Sequence, residues 1–197
     1  MAGVVFILCS GPSQHQDDVR LIRSHRRDGD QVWAVNNMIF RAPWADLLYA
    51  CDKGWWKAYG KRVRDFPCRK VSMMAKSKSY GAQEIVRCGR TTGLGETRVH
   101  SGGNSGYQAI NLAYIEGFRE IVVTGLDCFH TYGKRHCHED HPSGMDNASP
   151  LAVWAQRFPT LAEPLKEKGV RVVNCSRHTA LDCFERMPLE LWMEKRP

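Results

Sequence analysis

Short apolar runs recur along the chain, and each is followed by a polar stretch or a segment of helical period. The run VVFILC at 4–9 is apolar throughout, the pattern of a strand buried on both faces. GPSQHQDD follows, where Ser13 can cap a helix reaching about Arg27. QVWAVN at 31–36 and ADLLYAC at 45–51 read as the second and third strands, and DKGWWKAYGKRV as a helix or turn after them. RKVSMM and EIVRC at 84–88 are short strand patterns. From Ser105 to Gly117, Ala109, Ile110, Leu112, Ala113 and Ile115 lie on or near one face, which predicts a helix with Ser105 as its N-cap and Gly117 as its terminator. EIVVTG at 120–125 is the next strand, and residues 126–150 then form a polar loop rich in His, Gly, Asp and Pro. The helical stretch LAVWAQRFPTLAEPLKEKG carries breaks at Pro159 and Pro164. VRVVNC at 170–175 reads as the last strand, followed by short helical pieces.

Strands alternating with helices predict an α/β fold around a mostly parallel sheet, built as one domain over 1–197. Such sheets hold ligands beyond the carboxyl ends of their strands. That rule gathers Gly11–Ser13, Asn36–Asn37, Asp52, Gly125–Asp127 and Asn174–Ser176 on one rim.

Composition adds three constraints. No run approaches the roughly 20 apolar residues of a membrane span. The opening MAGVVFILCSGPS lacks the basic start of a signal peptide and stops at Gly11 and Pro12, so it is read as a buried strand. The eight cysteines never form CxxC, and they fit buried thiols in a reduced, cytoplasmic compartment. The net charge of +7 is concentrated at Arg20–Arg27 and Lys53–Lys70. It suits a phosphate-bearing ligand, nucleic acid or simply a solvated face, although no nucleic-acid-binding motif is present.

Five segments, on or beside the predicted rim, can carry chemistry. In CSGPS, Gly11 permits close backbone approach, and Ser13 with the following helix N-terminus can donate to an anion. Neither GxGxxG nor GxxxxGK[ST] occurs. In VNN, the amides of Asn36 and Asn37 offer donor and acceptor to a base edge or ribose, or bond their own backbone as turn residues do. GGNSGYQ places Ser105 and Gly106 at a glycine-rich helix start suited to phosphate. Asp127 ends the GLD strand, where it can accept from a ligand hydroxyl or hold a metal. The loop HTYGKRHCHEDHP is the densest cluster, with His130, His136, His138 and His141 beside Cys137, Glu139 and Asp140. It reads as a zinc or iron site without HExxH or finger spacing, as a histidine acid/base with Lys134 and Arg135 at a phosphate, or as a plain polar loop. Trp55 and Trp56 either stack on a ligand or pack against the sheet, the commoner fate of such rings.

The order strand-GPS, strand-VNN, SGYQAINLAYIEGFREIVVTGLD, His loop and terminal NCS strand resembles bacterial sialyltransferases and the related archaeal 6-hydroxymethylpterin diphosphokinase-like proteins. Small phage-encoded relatives are the most similar in length. The resemblance implies a Rossmann-like three-layer sandwich binding a nucleotide or nucleotide sugar of the CMP type. It implies Gly11, Pro12 and Ser13 near the phosphate, Asn36 near ribose or phosphate, Ser105 and Gly106 in the nucleotide cradle, and Asp127 near sugar or base. The catalytic base would be a loop histidine, His141 or His138. The diphosphokinase branch implies ATP and Mg2+, which Asp127 and Asp140 can serve; a binding module that sequesters a nucleotide without turnover is the remaining alternative. The loop is shorter than in the sialyltransferases, and Tyr132 is its only tyrosine.

Overall fold

The computed structural model describes residues 3–130, 133–139, 141–142, 145 and 151–196. Tyr132 and Asp140 lie outside the described residues. Among the described residues, eight strands form one sheet: β1 (Val5–Leu8), β2 (Gln31–Val35), β3 (Leu47–Tyr49), β4 (Arg69–Ser72), β5 (Glu84–Ile85), β6 (Glu120–Thr124), β7 (Arg171–Asn174) and β8 (Glu185–Arg186). Their spatial order is β5-β4-β3-β2-β1-β6-β7-β8, and every neighbouring pair is parallel. The helices are α1 (Gln16–His25), α2 (Lys53–Val63), α3 (Ser105–Ile115), α4 (Leu151–Ala155), α5 (Pro159–Glu167) and α6 (Leu189–Lys195).

The continuous apolar runs are explained by burial of both sheet faces. Val5 and Ile7 of β1 point to one side, where Tyr107 and Ile110 of α3 and Leu161 of α5 cover them. Phe6 and Leu8 point to the other side, against Ile22 of α1, Trp56 of α2 and Trp192 of α6. Phe6 meets Trp192 edge-on at 5.4 Å. Helix–sheet–helix layering makes this a Rossmann-like three-layer sandwich with an all-parallel sheet.

Several local expectations change. Ser13 does not cap α1. His15 takes that position, accepting from the Asp17 amide, while Asp18 reaches back to the His15 amide. Ser105 is the first residue inside α3, and the cap is Asn104, whose Oδ1 accepts from the amides of Gly106 and Tyr107. Pro159 opens α5, but Pro164 sits within it without ending it. VRVVNC is not the last strand, since the charged pair Glu185–Arg186 adds β8 at the edge. EIVRC contributes only Glu84–Ile85 to the sheet, with Cys88 in a separate parallel bridge to Val99, and Asn36–Phe40 and Ala75–Tyr80 form 3-10 turns.

Candidate functional site

Strand order reverses once, between β1 and β6, whose connections leave in opposite directions across the sheet. Open α/β sheets place ligands at the carboxyl ends flanking such a switch point. Here the two strand exits remain zipped beyond the strands: the Cys9 amide donates to Thr124 O at 2.8 Å and the Gly11 amide to Gly125 O at 2.8 Å. Both glycines are required by that contact. A Cβ on Gly11 would stand 2.5 Å from Gly125 O, and one on Gly125, whose φ is +65°, would stand 2.2 Å from Cys9 O. Gly106 likewise lets α3 close on the exits, since its Cβ would meet Leu126 Cδ1 at 2.6 Å. The missing side chains therefore serve packing of the rim first.

A cavity of about 790 Å³ opens over this junction. Its floor includes Gly11, Pro12, Gly125 and Asp127, and its walls include Asn36, Ser105 and Gly106. Two helices begin at it. Asn104, Ser105 and Gly106 line it at the start of α3, and Lys53, Gly54 and Trp55 line it at the start of α2. Helix starts present unpaired amides and the positive end of the helix dipole. The Asn104 cap takes the amides of Gly106 and Tyr107 and not that of Ser105. Asp52 makes no side-chain cap bond to α2, so its first-turn amides are left uncapped. Lys53 and Arg135 add full positive charge to the lining. Asp52 opposes them: solvent reaches the residue, yet the surrounding walls withdraw its carboxyl from bulk water and raise its pKa.

Backbone strain concentrates here. Among the described residues, Asn36 (φ 53°) and Cys128 (φ 56°) alone have positive φ without being glycine, and both line the cavity. Left-handed backbone at such residues is costly and clusters at functional sites. Asn36 Oδ1 is also buried, with no hydrogen bond to any described residue. A buried acceptor left unsatisfied costs about 1–3 kcal/mol unless a ligand or water supplies the donor.

Other predicted residues serve the scaffold. Ser13 is not in the lining: its amide donates to Asp127 Oδ2 at 2.6 Å and its hydroxyl to Asp127 Oδ1 at 2.7 Å. Both carboxylate oxygens of Asp127 are thus engaged, and the residue is 1% exposed. Burial raises its pKa, against the lowering effect of the Ser13 bonds. The clasp engages Ser13 in the scaffold beneath the cavity, while Asp127 both anchors it and lines the cavity. Asn37 is also turned away, its Oδ1 accepting from Trp55 Nε1 at 2.7 Å. Trp55 and Trp56 are both buried, as packing against the sheet predicts, and Trp55 forms wall as well. Asn174 and Ser176 brace the rim: Ser176 Oγ accepts from the Leu126 amide at 2.7 Å, and Asn174 Oδ1 accepts from the Ser176 amide at 3.0 Å.

The His loop is tied to this rim. The Cys137 amide donates to Ser10 O at 3.0 Å, and the Arg41 guanidinium donates to Cys137 O. That places His136 and His141 in the lining, whereas His138 stands behind it. His141 Nδ1 lies 3.2 Å from Tyr59 Oη. The Cys137 thiol, withdrawn by burial, is pushed up to about 11, and Cys128 to about 12, so neither is an activated nucleophile at neutral pH. All eight cysteines are free thiols.

Sequence reasoning placed Lys53 only in a basic cluster and did not single out Gly54, Asn104, Arg41 or the lining residue Trp154. Asp52 at a strand exit before a helix was the available signal for the α2 start; nothing local marks Arg41 or Trp154. No helix among the described residues is long and apolar enough to cross a membrane. No family model, curated protein or solved structure matches the chain.

Proposed function

We propose that the chain is a nucleotide-binding transferase, most like a glycosyltransferase that uses a nucleotide-sugar donor. The observation that carries this reading is the cavity at the β1/β6 switch point, entered by the uncapped start of α2 and the glycine-rich start of α3. Helix amides with Lys53 and Arg135 suit a phosphate group. Asn36, strained and with an unsatisfied Oδ1, suits a ribose hydroxyl or base amine. Trp154 supplies an aromatic surface in the same wall. The sequence resemblance narrows the nucleotide to the CMP type.

In this reading His141 is the base, because it lines the cavity and His138 does not. Its imidazole takes the proton from an acceptor hydroxyl while that oxygen bonds to the anomeric carbon of the sugar. The bond from that carbon to the phosphate oxygen breaks, and the departing nucleotide takes the electron pair. Amides and cations around the phosphate stabilise the charge that develops there.

Calorimetric titration with CMP, UDP, GDP and ATP tests the reading. Saturable binding of CMP-type ligands is expected, weakened in Asn36→Ala. His141→Gln should keep that binding and lower transfer from a CMP-sugar by about 10²-fold or more. Absence of binding by all four at millimolar concentration defeats the nucleotide reading. Binding without turnover leaves a sequestering module, and Mg2+-dependent release of AMP from ATP moves the reaction to diphosphoryl transfer.

A further inference from the structure

Among the described residues, one group of three potential metal ligands stands close together, the imidazoles of the His loop. His136, His138 and His141 each offer a ring nitrogen, and these atoms lie within 4.8 Å of one another. The rings of His136 and His138 are parallel, with centroids 4.9 Å apart. His141 stands at 5.0 and 4.9 Å from them, turned by 67° and 64°. All three are half-buried, so they are neither core residues nor a solvated fringe.

Their surroundings orient them. His138 Nδ1 lies 2.6 Å from Glu139 O, and a carbonyl oxygen only accepts. At 2.6 Å, against 3.5 Å for the Asn37 Nδ2 donor that approaches the same nitrogen, this carbonyl sets the proton on Nδ1 and leaves the lone pair on Nε2, which is sealed from solvent. His141 Nδ1 meets Tyr59 Oη at 3.2 Å. An imidazole anchored through one nitrogen by a carbonyl or hydroxyl presents the other in a fixed direction, as metal-binding histidines do. Cys137 sits among them in sequence but not in the cluster, since its Sγ lies 3.7 Å from Met38 Sδ, on the core side. Among the described residues, the donor set is three nitrogens without sulfur.

We propose that His136, His138 and His141 bind one divalent transition-metal cation of the zinc type. Imidazole donors suit zinc, copper, nickel and iron(II), and are poor ligands for magnesium or calcium. A tetrahedral zinc with Zn–N bonds of ~2.0–2.1 Å sets its nitrogens roughly 3.3 Å apart, so modest rotation of the rings closes the set. Three protein ligands leave a fourth position, the arrangement of an open zinc site. Because His136 and His141 line the cavity, that position faces the ligand space. With a metal bound, His141 would serve as a ligand, and a metal-held hydroxide would take its place as proton acceptor. The metal site itself stands apart from the nucleotide reading, and its test contains no nucleotide.

Protein made without a polyhistidine tag and stripped with a chelator is titrated with CoCl2, then with ZnCl2. One equivalent of Co2+ should give the visible absorption of a tetrahedral centre, and one equivalent of Zn2+ should abolish it. His136→Ala, His138→Ala and His141→Ala, each shown folded by circular dichroism, should bind more than tenfold more weakly. Tyr59→Phe should lose about tenfold by freeing the His141 ring. A variant that does not fold is replaced by a measurement on the wild type: Zn2+ should protect these three histidines from diethyl pyrocarbonate, located by mass spectrometry. No saturable Co2+ or Zn2+ binding in the wild type overturns the proposal. So does undiminished affinity in the folded variants, or protection at other histidines only.

Discussion

At the scale of single residues, Asp127 shows how a side chain suited to ligand chemistry can serve the framework. Its carboxylate accepts both the amide and the hydroxyl of Ser13 across 114 positions of sequence, tying the β6 exit to the turn after β1. Asp127→Ala should cost about 2–4 kcal/mol, since two buried donors lose a shared acceptor. The pH dependence has a definite sign. Burial holds this carboxyl above its ordinary value, so folding favours the protonated form. Its contribution is fullest below the unfolded pKa of about 3.9 and declines as pH rises through the folded value. The variant lacks that decline. The stability gap between wild type and Asp127→Ala should therefore narrow between about pH 4 and pH 7, as urea midpoints at the two values will report. A gap that widens contradicts the assignment.

At the scale of elements, the start of α3 separates what local sequence carries from what it does not. Asn and Ser are nearly equal as N-caps, and Asn104 and Ser105 stand side by side, so composition cannot choose between them. The structure chooses Asn104, by two hydrogen bonds. Asn104→Ala should lower stability by about 1 kcal/mol, and Ser105→Ala should stay within about 0.5 kcal/mol in the same denaturation experiment. A larger loss in Ser105→Ala would restore the cap predicted from sequence. The same reasoning explains how much of the fold was legible. Runs such as VVFILC and EIVVTG announce parallel strands because both their faces are buried. β8 is two charged residues at a sheet edge and carries no apolar signal. For the site, the strand-exit rule brought Gly11, Asn36, Asp52 and Gly125 to one cavity, and the glycine-rich helix start brought Ser105 there. It could not reveal that Ser13 bonds to Asp127, or that Arg41 anchors Cys137, because those contacts join distant segments through side chains.

At the scale of the whole molecule, an ion pair fastens the segment after α6 to the turn before β2. Asp30, just before β2, accepts from Arg196, just after α6, and from the amides of Val4 and Arg27. Both charged side chains are nearly sealed from solvent, and the guanidinium also lies over the rings of Phe6 and Trp192 at 5.6 and 5.4 Å. Burial alone would push the Asp30 carboxyl up; Arg196 and the two amides more than offset this and leave it below the ordinary carboxylate range. A depressed folded pKa stabilises the protein above the unfolded value of about 3.9, and that contribution is lost as pH falls through the folded value. Arg196→Met keeps much of the contact with Phe6 and Trp192 while leaving Asp30 without its cation. A buried charge stripped of its partner costs about 3–5 kcal/mol. The variant should lose about that much at neutral pH, and the loss should shrink under acid, where protonation removes the stranded charge. Urea midpoints measured at pH 7 and near pH 4 distinguish this from simple loss of packing, which would be the same at both. Because α6 covers Phe6 on the far side of β1 from α3, the nucleotide titration described above should be unchanged in Arg196→Met, provided the variant is assayed well below its unfolding midpoint.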